Sequence, residues 1–170
     1  MKTYRITKYN PKNREKDGVY SKDEWTSISD IGKSFGDYKL TASDYLKVED
    51  QYLKSYEAVL HKYELNRIKL TELEKFYYDV NNSAIKSLYC DDLEKLFNNL
   101  TENYNFSTDN EVIMTLKLIL REHIWGKLVI KNSSVRIEFG NDFYTYLISD
   151  ELYVDTIKKI NDNGLFVEEI

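Results

Sequence analysis

Apolar and polar positions repeat at different periods along this chain, and the period decides which element each stretch can form. Residues 4–9 (YRITKY) alternate with the period of two of a half-buried strand, which Asn10-Pro11 ends. Residues 12–18 are charged and polar and read as a loop. Trp25, Ile28 and Ile31 fall at i, i+3, i+6, so one short helical turn, capped by Thr26 or Ser27 and stopped by Gly32, is expected to pack onto the body. Gly36-Asp37 marks another turn. Thr41 with Asp44 three residues on resembles a capping box, and the helix it opens is expected over 42–63. Tyr45, Val48, Tyr52, Tyr56, Val59 and Tyr63 form one stripe on it, with Leu46, Leu53 and Leu60 alongside. A face that broad belongs across a sheet.

Residues 66–73 alternate Ile68 and Leu70 with polar neighbours and read as a strand, and 79–83 as a turn. Asp91 is placed to cap a short helix bearing Leu93, Leu96, Phe97 and Leu100, with a connection through 105. Thr108 and Glu111 have capping-box spacing. The helix they open is expected to reach Trp125, with apolar residues almost all round it and hence the deepest burial.

The last third carries the clearest signals. Strands at 127–131 and 134–139 lead into Gly140-Asn141-Asp142, residues that tolerate positive φ, and a strand at 143–148 returns. A two-residue loop sets Tyr144 and Tyr146 opposite Ile137 and Val135. A three-residue loop sets Phe143, Thr145 and Leu147 opposite Phe139, Ile137 and Val135. The longer loop is preferred, because it gathers the apolar side chains on one face and leaves Tyr144 and Tyr146 beside Glu138 and Arg136 on the other. Ser149 is expected to cap a helix carrying Val154, Ile157 and Ile160 on one face, ended by Asn163-Gly164 before a last strand at 165–169. These elements make one α+β domain over residues 1–170, a mostly antiparallel sheet with two main helices, 42–63 and 108–125, packed on one face. Strand order is not readable.

Composition narrows the class. A chain of 170 residues, 42% apolar and 31% charged, suffices for one globular domain with a sizeable core. No apolar run approaches the ~20 residues that span a bilayer, so no membrane association is expected. The opening residues MKTYRITKYNPKNREKDG lack an apolar signal core, and the single cysteine, Cys90, excludes an internal disulfide; both fit the cytoplasm. The net charge of −5 is uneven: the first 16 residues carry +5 and the remainder −10. An acidic body disfavours nucleic acid and anionic membrane and suits a basic partner.

No constellation for catalysis emerges, and no enzyme is expected. His61 and His123 each stand alone on an expected helix, and Cys90 has no CxxC partner and is expected to be a buried free thiol. The six glycines are scattered turn residues rather than a phosphate loop. No catalytic residue, metal or cofactor is therefore assigned. Aromatic residues beside acids have the composition that interfaces favour. Asp23, Glu24, Trp25 and Asp30 make one candidate partner-binding patch, and Glu138, Asp142, Tyr144 and Tyr146 a second.

Two pairs of segments carry a resemblance. They are Arg5-Ile6-Thr7-Lys8-Tyr9-Asn10-Pro11 with Asp23-Glu24-Trp25-Thr26-Ser27-Ile28-Ser29-Asp30-Ile31-Gly32, and Phe139-Gly140-Asn141-Asp142-Phe143-Tyr144 with Gly164-Leu165-Phe166-Val167-Glu168. In these the chain resembles small bacterial immunity proteins encoded beside secreted polymorphic or contact-dependent toxins. The resemblance implies an antitoxin that binds a cognate protein toxin, many such toxins being nucleases with basic clefts. It names no functional residue. Two other readings stand beside it: a generic regulatory protein-binding module, and a nucleic-acid binder using the basic N-terminal segment.

Overall fold

The computed structural model describes residues 1–76, 86, 89–150 and 154–170; the turn expected at 79–83 lies outside them. Strand β1 (Lys2–Thr7) pairs on one side with β8 (Thr145–Ser149) and on the other with β9 (Phe166–Glu169). A meander of β6 (Ile124–Ile130), β7 (Arg136–Phe139) and β8 carries the sheet on to β4 (Ile68–Lys75) and a two-residue edge strand, β5 (Tyr104–Asn105). The order is β5-β4-β6-β7-β8-β1-β9, antiparallel at every pairing. A separate small hairpin, β2 (Ser34–Phe35) and β3 (Tyr38–Lys39), turns at Gly36-Asp37.

Helices cover one face of this sheet. Helix α1 (Ala42–Leu60) lies centrally, flanked by α3 (Asp109–Leu120) and α4 (Val154–Asp162), and α2 (Asp91–Asn99) packs outside α3. The strand positions beneath them, Tyr4, Ile6, Leu70, Leu128, Ile137 and Leu147, are at most 5% exposed. The alternate positions Arg5, Lys127, Arg136, Glu138 and Tyr146 point to the other face and are half-buried. The domain is thus α+β with its two main helices on one face, as the alternation implies.

The tyrosine stripe of α1 explains why this face is not simply apolar. Tyr45, Tyr52 and Tyr56 are fully buried, and a buried hydroxyl without a partner is costly. Each has one. Tyr45 donates to the Leu120 carbonyl at 3.0 Å, Tyr52 to the Phe143 carbonyl at 2.6 Å, and Tyr56 shares a 2.7 Å bond with the Thr145 hydroxyl. The stripe therefore bonds α1 to the end of α3 and to the β7–β8 hairpin while it fills the core.

Local chemistry explains most boundaries. Thr41 and Asp44 form a reciprocal capping box. Ser27 and Asp30 do the same for a single 3₁₀ turn, Ile28–Asp30. Thr108 accepts from the Glu111 N–H, whereas the Glu111 carboxylate reaches the Ser107 N–H, one residue early. Asn163-Gly164 ends α4 with Gly164 at φ +92°.

Several expectations are corrected. Helix α3 stops at Leu120, not Trp125. The polar triplet Arg121-Glu122-His123, with Glu122 at φ +60°, turns the chain into β6. His123 therefore lies in a turn rather than on a helix, buried, with Nε2 2.6 Å from the Tyr89 hydroxyl. Cys90, not Asp91, is the N-cap of α2, and it is exposed. Ser149 ends β8, and Val154 is 80% exposed. The buried side of α4 is centred on Thr156 and Ile160, and Val154 lies about 120° round the helix from Ile160.

The hairpin keeps the expected faces but not the expected partners. Its three-residue turn is Asn141-Asp142-Phe143, closed by the Gly140 N–H on the Tyr144 carbonyl at 2.8 Å. Phe139 then faces Thr145, and Ile137 faces Leu147. Moving the turn one residue along moves each cross-strand partner by two, so the parity of the faces is preserved.

Burial raises the hydroxyls of Tyr9, Tyr45, Tyr52 and Tyr56 above the ordinary value of 10.0. The folded chain keeps these protons at a pH where the unfolded chain releases them. Their contribution to stability is thus fully present below pH ~10 and is lost as pH rises beyond it, by about 1.4 kcal/mol per pH unit for each group. Alkaline titration followed by phenolate absorbance and circular dichroism should show these tyrosines ionising only in a cooperative unfolding step above pH ~10. Smooth ionisation of every tyrosine with the circular dichroism unchanged contradicts this.

Candidate functional site

The displaced turn places Phe143, a bulky residue, at φ +61°, a region that favours glycine. Its ring holds it there. It is buried against Trp25, Tyr45 and Tyr52, with centroids 5.3, 6.0 and 5.5 Å away. The Tyr52 hydroxyl that donates to the Phe143 carbonyl also accepts the Lys8 N–H at 2.8 Å. One phenol on α1 therefore fixes both the hairpin turn and the chain leaving β1.

The other side of the hairpin is fixed by the N-terminal loop. Tyr144 packs on Tyr9 with centroids 5.3 Å apart, and its hydroxyl accepts from Arg14 Nη1 at 3.2 Å. The Arg14 guanidinium lies 5.4 Å from the Tyr144 ring centroid. The Lys8 ammonium sits over the rings of Tyr9 and Trp25, at 4.3 and 4.1 Å, and 3.6 Å from Glu24. Burial lowers it to about 8, with Glu24 pulling the other way.

A buried ion pair fixes the neighbouring turn. Arg121 makes two bonds, 2.7 and 2.8 Å, to the Glu49 carboxylate on α1. Their side chains are 4% and 3% exposed. Burial alone would lower the guanidinium, but the hydrogen bond and charge of Glu49 outweigh it and raise it. Glu122 projects from this anchored turn.

Between the two fixed turns lies a cleft of about 300 Å³ at the end of the sheet. Ile119, Leu120, Ile124 and Phe139 contribute apolar walls. Two aromatic side chains on it are open to solvent: Trp125, 46% exposed, and Phe76, 49% exposed. Trp125 is oriented by its indole N–H, which donates to the Phe139 carbonyl at 2.6 Å. The backbone of Phe76 is held by its N–H on the His123 carbonyl at 2.8 Å. Among the described residues, the charged ones lining the cleft are both acids, Glu122 and Asp142. Glu122 is exposed by area, yet its carboxyl lies close enough to the protein for desolvation to raise it, and the charges of Asp30 and Asp142 add to the rise.

The candidate residues read from the sequence divide three ways. Asp142 and Tyr144 line the cleft, and Asp30 acts on it through its charge. Asp30 is also structural: burial raises its carboxyl, but bonds from Lys33 and from the N–H groups of Thr26 and Ser27 together bring it below the usual range. Trp25 is no surface anchor, being 8% exposed and packed against Tyr45 and Phe143. Glu24 is engaged by Lys8 and by the Tyr20 hydroxyl at 2.7 Å. Glu138 is paired with Arg136 at 2.6 Å and lies 3.7 Å from Lys127. Tyr146 is half-buried beside it on the helix-free face, and Asp23 is exposed, away from the cleft lining. Glu122, Trp125 and Phe76 are site residues that the sequence reading passed over. The polar triplet 121–123 within an apolar run was the signal that could have found the first two.

Comparison with known protein families, with curated proteins and with solved structures finds no match to this chain. Among the described residues no group of three His, Cys, Asp or Glu is arranged to hold a metal ion, and no helix is long and apolar enough to cross a membrane.

Two stability measurements test this description of the cleft's supports. Replacing Glu49 alone by Gln should cost about 3–5 kcal/mol in denaturant unfolding, because the buried Arg121 loses its counter-charge; replacing both partners by Met should cost clearly less. Additive losses would contradict the pairing. Tyr52→Phe should cost roughly 1–3 kcal/mol and speed hydrogen exchange at the Lys8 amide. An unchanged Lys8 exchange rate would show that the bridge does not hold.

Proposed function

We propose that this protein is a cytoplasmic immunity protein, an antitoxin that binds and neutralises a cognate protein toxin, with the cleft and its rim as the contact surface. The cleft carries this reading. It combines half-exposed Trp125 and Phe76 with Glu122 and Asp142, the mixture of aromatic anchors and charge found at binding hot spots. Its walls are held by buried bonds, so little ordering cost is left for association. The −10 charge beyond residue 16 would steer a basic partner, such as a nuclease, to it. The resemblance of both ends of the chain to immunity proteins points the same way.

The nucleic-acid reading fares less well. Of the six basic residues in the first 16, four are engaged: Lys2 with Glu169, Arg5 and Arg14 with Glu168, and Lys8 with Glu24. The segment's charge is largely neutralised within the fold.

Co-expression with the product of the adjacent gene, followed by affinity purification, tests the proposal. A stable complex is expected, with an association rate that falls as salt rises and a Kd at least tenfold weaker for Glu122→Lys. Absence of a complex with every neighbouring gene product would overturn the assignment.

A further inference from the structure

The cleft's chemistry specifies what enters it. Its walls are apolar, it has two aromatic side chains open to solvent, and its charged residues, among those described, are both acids. The acids are not gathered as metal ligands are, for no metal-holding group occurs among the described residues. They are near enough for Asp30 and Asp142 to act on the Glu122 carboxyl through their charge. Acids spread among apolar walls do not suit a compact divalent ion, which needs several oxygens at ~2.0–2.6 Å. They suit a broad, weakly hydrated cation on an apolar stem. Such a group lays its methylenes on the walls, stacks its head on an aromatic face and offers donors in several directions.

Other described grooves differ: the one beside the end of α1 and the start of α3 also sets two acids, Glu57 and Asp109, against an apolar lining, but its aromatic side chain, Tyr63, is half-buried rather than open. The depression between the end of α1 and α4 is lined by Lys54, Lys159, Glu57 and Asp162, so its charges cancel. Among the described residues no lysine or arginine lines the cleft wall, and the nearby cations Arg121, Lys8 and Arg14 are engaged by Glu49, Glu24 and Glu168.

We infer that the cleft receives an arginine side chain from a protein partner, its guanidinium stacked on Trp125 or Phe76 and facing Glu122 and Asp142. This rests on the cleft being the contact surface proposed above. It goes further by naming the group that is recognised. The interaction is modular, so a single arginine outside any toxin binds the same place weakly.

The probe is the peptide acetyl-Gly-Arg-Gly-amide, with its citrulline counterpart as the neutral isostere, titrated into the ¹⁵N-labelled full chain. The expected result is saturable shifts at the Trp125 indole N–H and at the amides of Glu122, Gly140, Asn141 and Asp142. The Kd should be on the order of a millimolar, as suits one side chain, and the citrulline peptide should bind at least tenfold more weakly. Glu122→Gln and Asp142→Asn keep the shape of each side chain, and asparagine tolerates the φ of +56° at position 142. Each should weaken arginine binding several-fold while leaving the rest of the spectrum in place. Equal binding of the two peptides, shifts centred elsewhere, or unchanged affinity in both variants would overturn the inference. The peptide result is separable from the antitoxin assignment. A toxin that binds undiminished to both variants sinks this inference alone, and arginine binding without any neighbouring partner sinks that assignment alone.

Discussion

The hydroxyl of Tyr52 is the point on which the functional end of the molecule depends. It sits in the core on α1, donates to the Phe143 carbonyl and accepts the Lys8 N–H. A phenylalanine there would fill the same space and join nothing. Because the bond falls on the turn residue itself, it stabilises a left-handed conformation that an aromatic residue otherwise avoids. Phe143 then turns its ring inward onto Trp25 and Tyr45, and Asp142 and Asn141 are left outward as one rim of the cleft. The opposite rim has an independent support in Glu49 and Arg121, also rooted on α1. One helix thus holds both walls.

This arrangement separates support from contact. The buried groups Tyr45, Tyr52, Tyr56, Glu49 and Arg121 all find hydrogen-bond partners within the core. The cleft's carboxylates and the open faces of Trp125 and Phe76 are left available on a prearranged frame. Desolvation raises the Glu122 carboxyl, and repulsion from the like charges of Asp30 and Asp142 adds to the rise. A cation entering between them relieves that repulsion, so the free protein is poised for a partner of opposite sign.

How much of this was legible in the sequence depends on the range of the interaction involved. Period and capping are local, and they located α1, its Thr41 box, the Ser27 turn, the hairpin faces and the α+β class. Strand order is non-local and left no local trace: nothing in residues 2–7 announces that they lie between β8 and β9. The end of α3 was misplaced because Ile124 and Trp125 continue the apolar text beyond the polar triplet 121–123, where a positive φ at Glu122 breaks the helix. In the sequence Trp25 reads both as packing its turn onto the body and as part of a partner-binding patch with Asp23, Glu24 and Asp30, and the packing reading is the one its burial supports. Whether a tryptophan is buried depends on what folds over it, here Phe143 from far along the chain. The candidate site was half readable for the same reason: Asp142, Tyr144 and Asp30 fall at or near the cleft, while Glu122, Trp125 and Phe76 join them only through tertiary contact.

The most direct test of this account is a hydrogen-exchange footprint of the full chain with and without the product of the adjacent gene. Protection gained on binding should fall on residues 119–125 and 140–144, the two walls that α1 supports, with little change across α1 and α4. A footprint centred on the helical layer, or on the N-terminal loop away from the hairpin, would contradict the claim that this cleft is where the protein meets its partner.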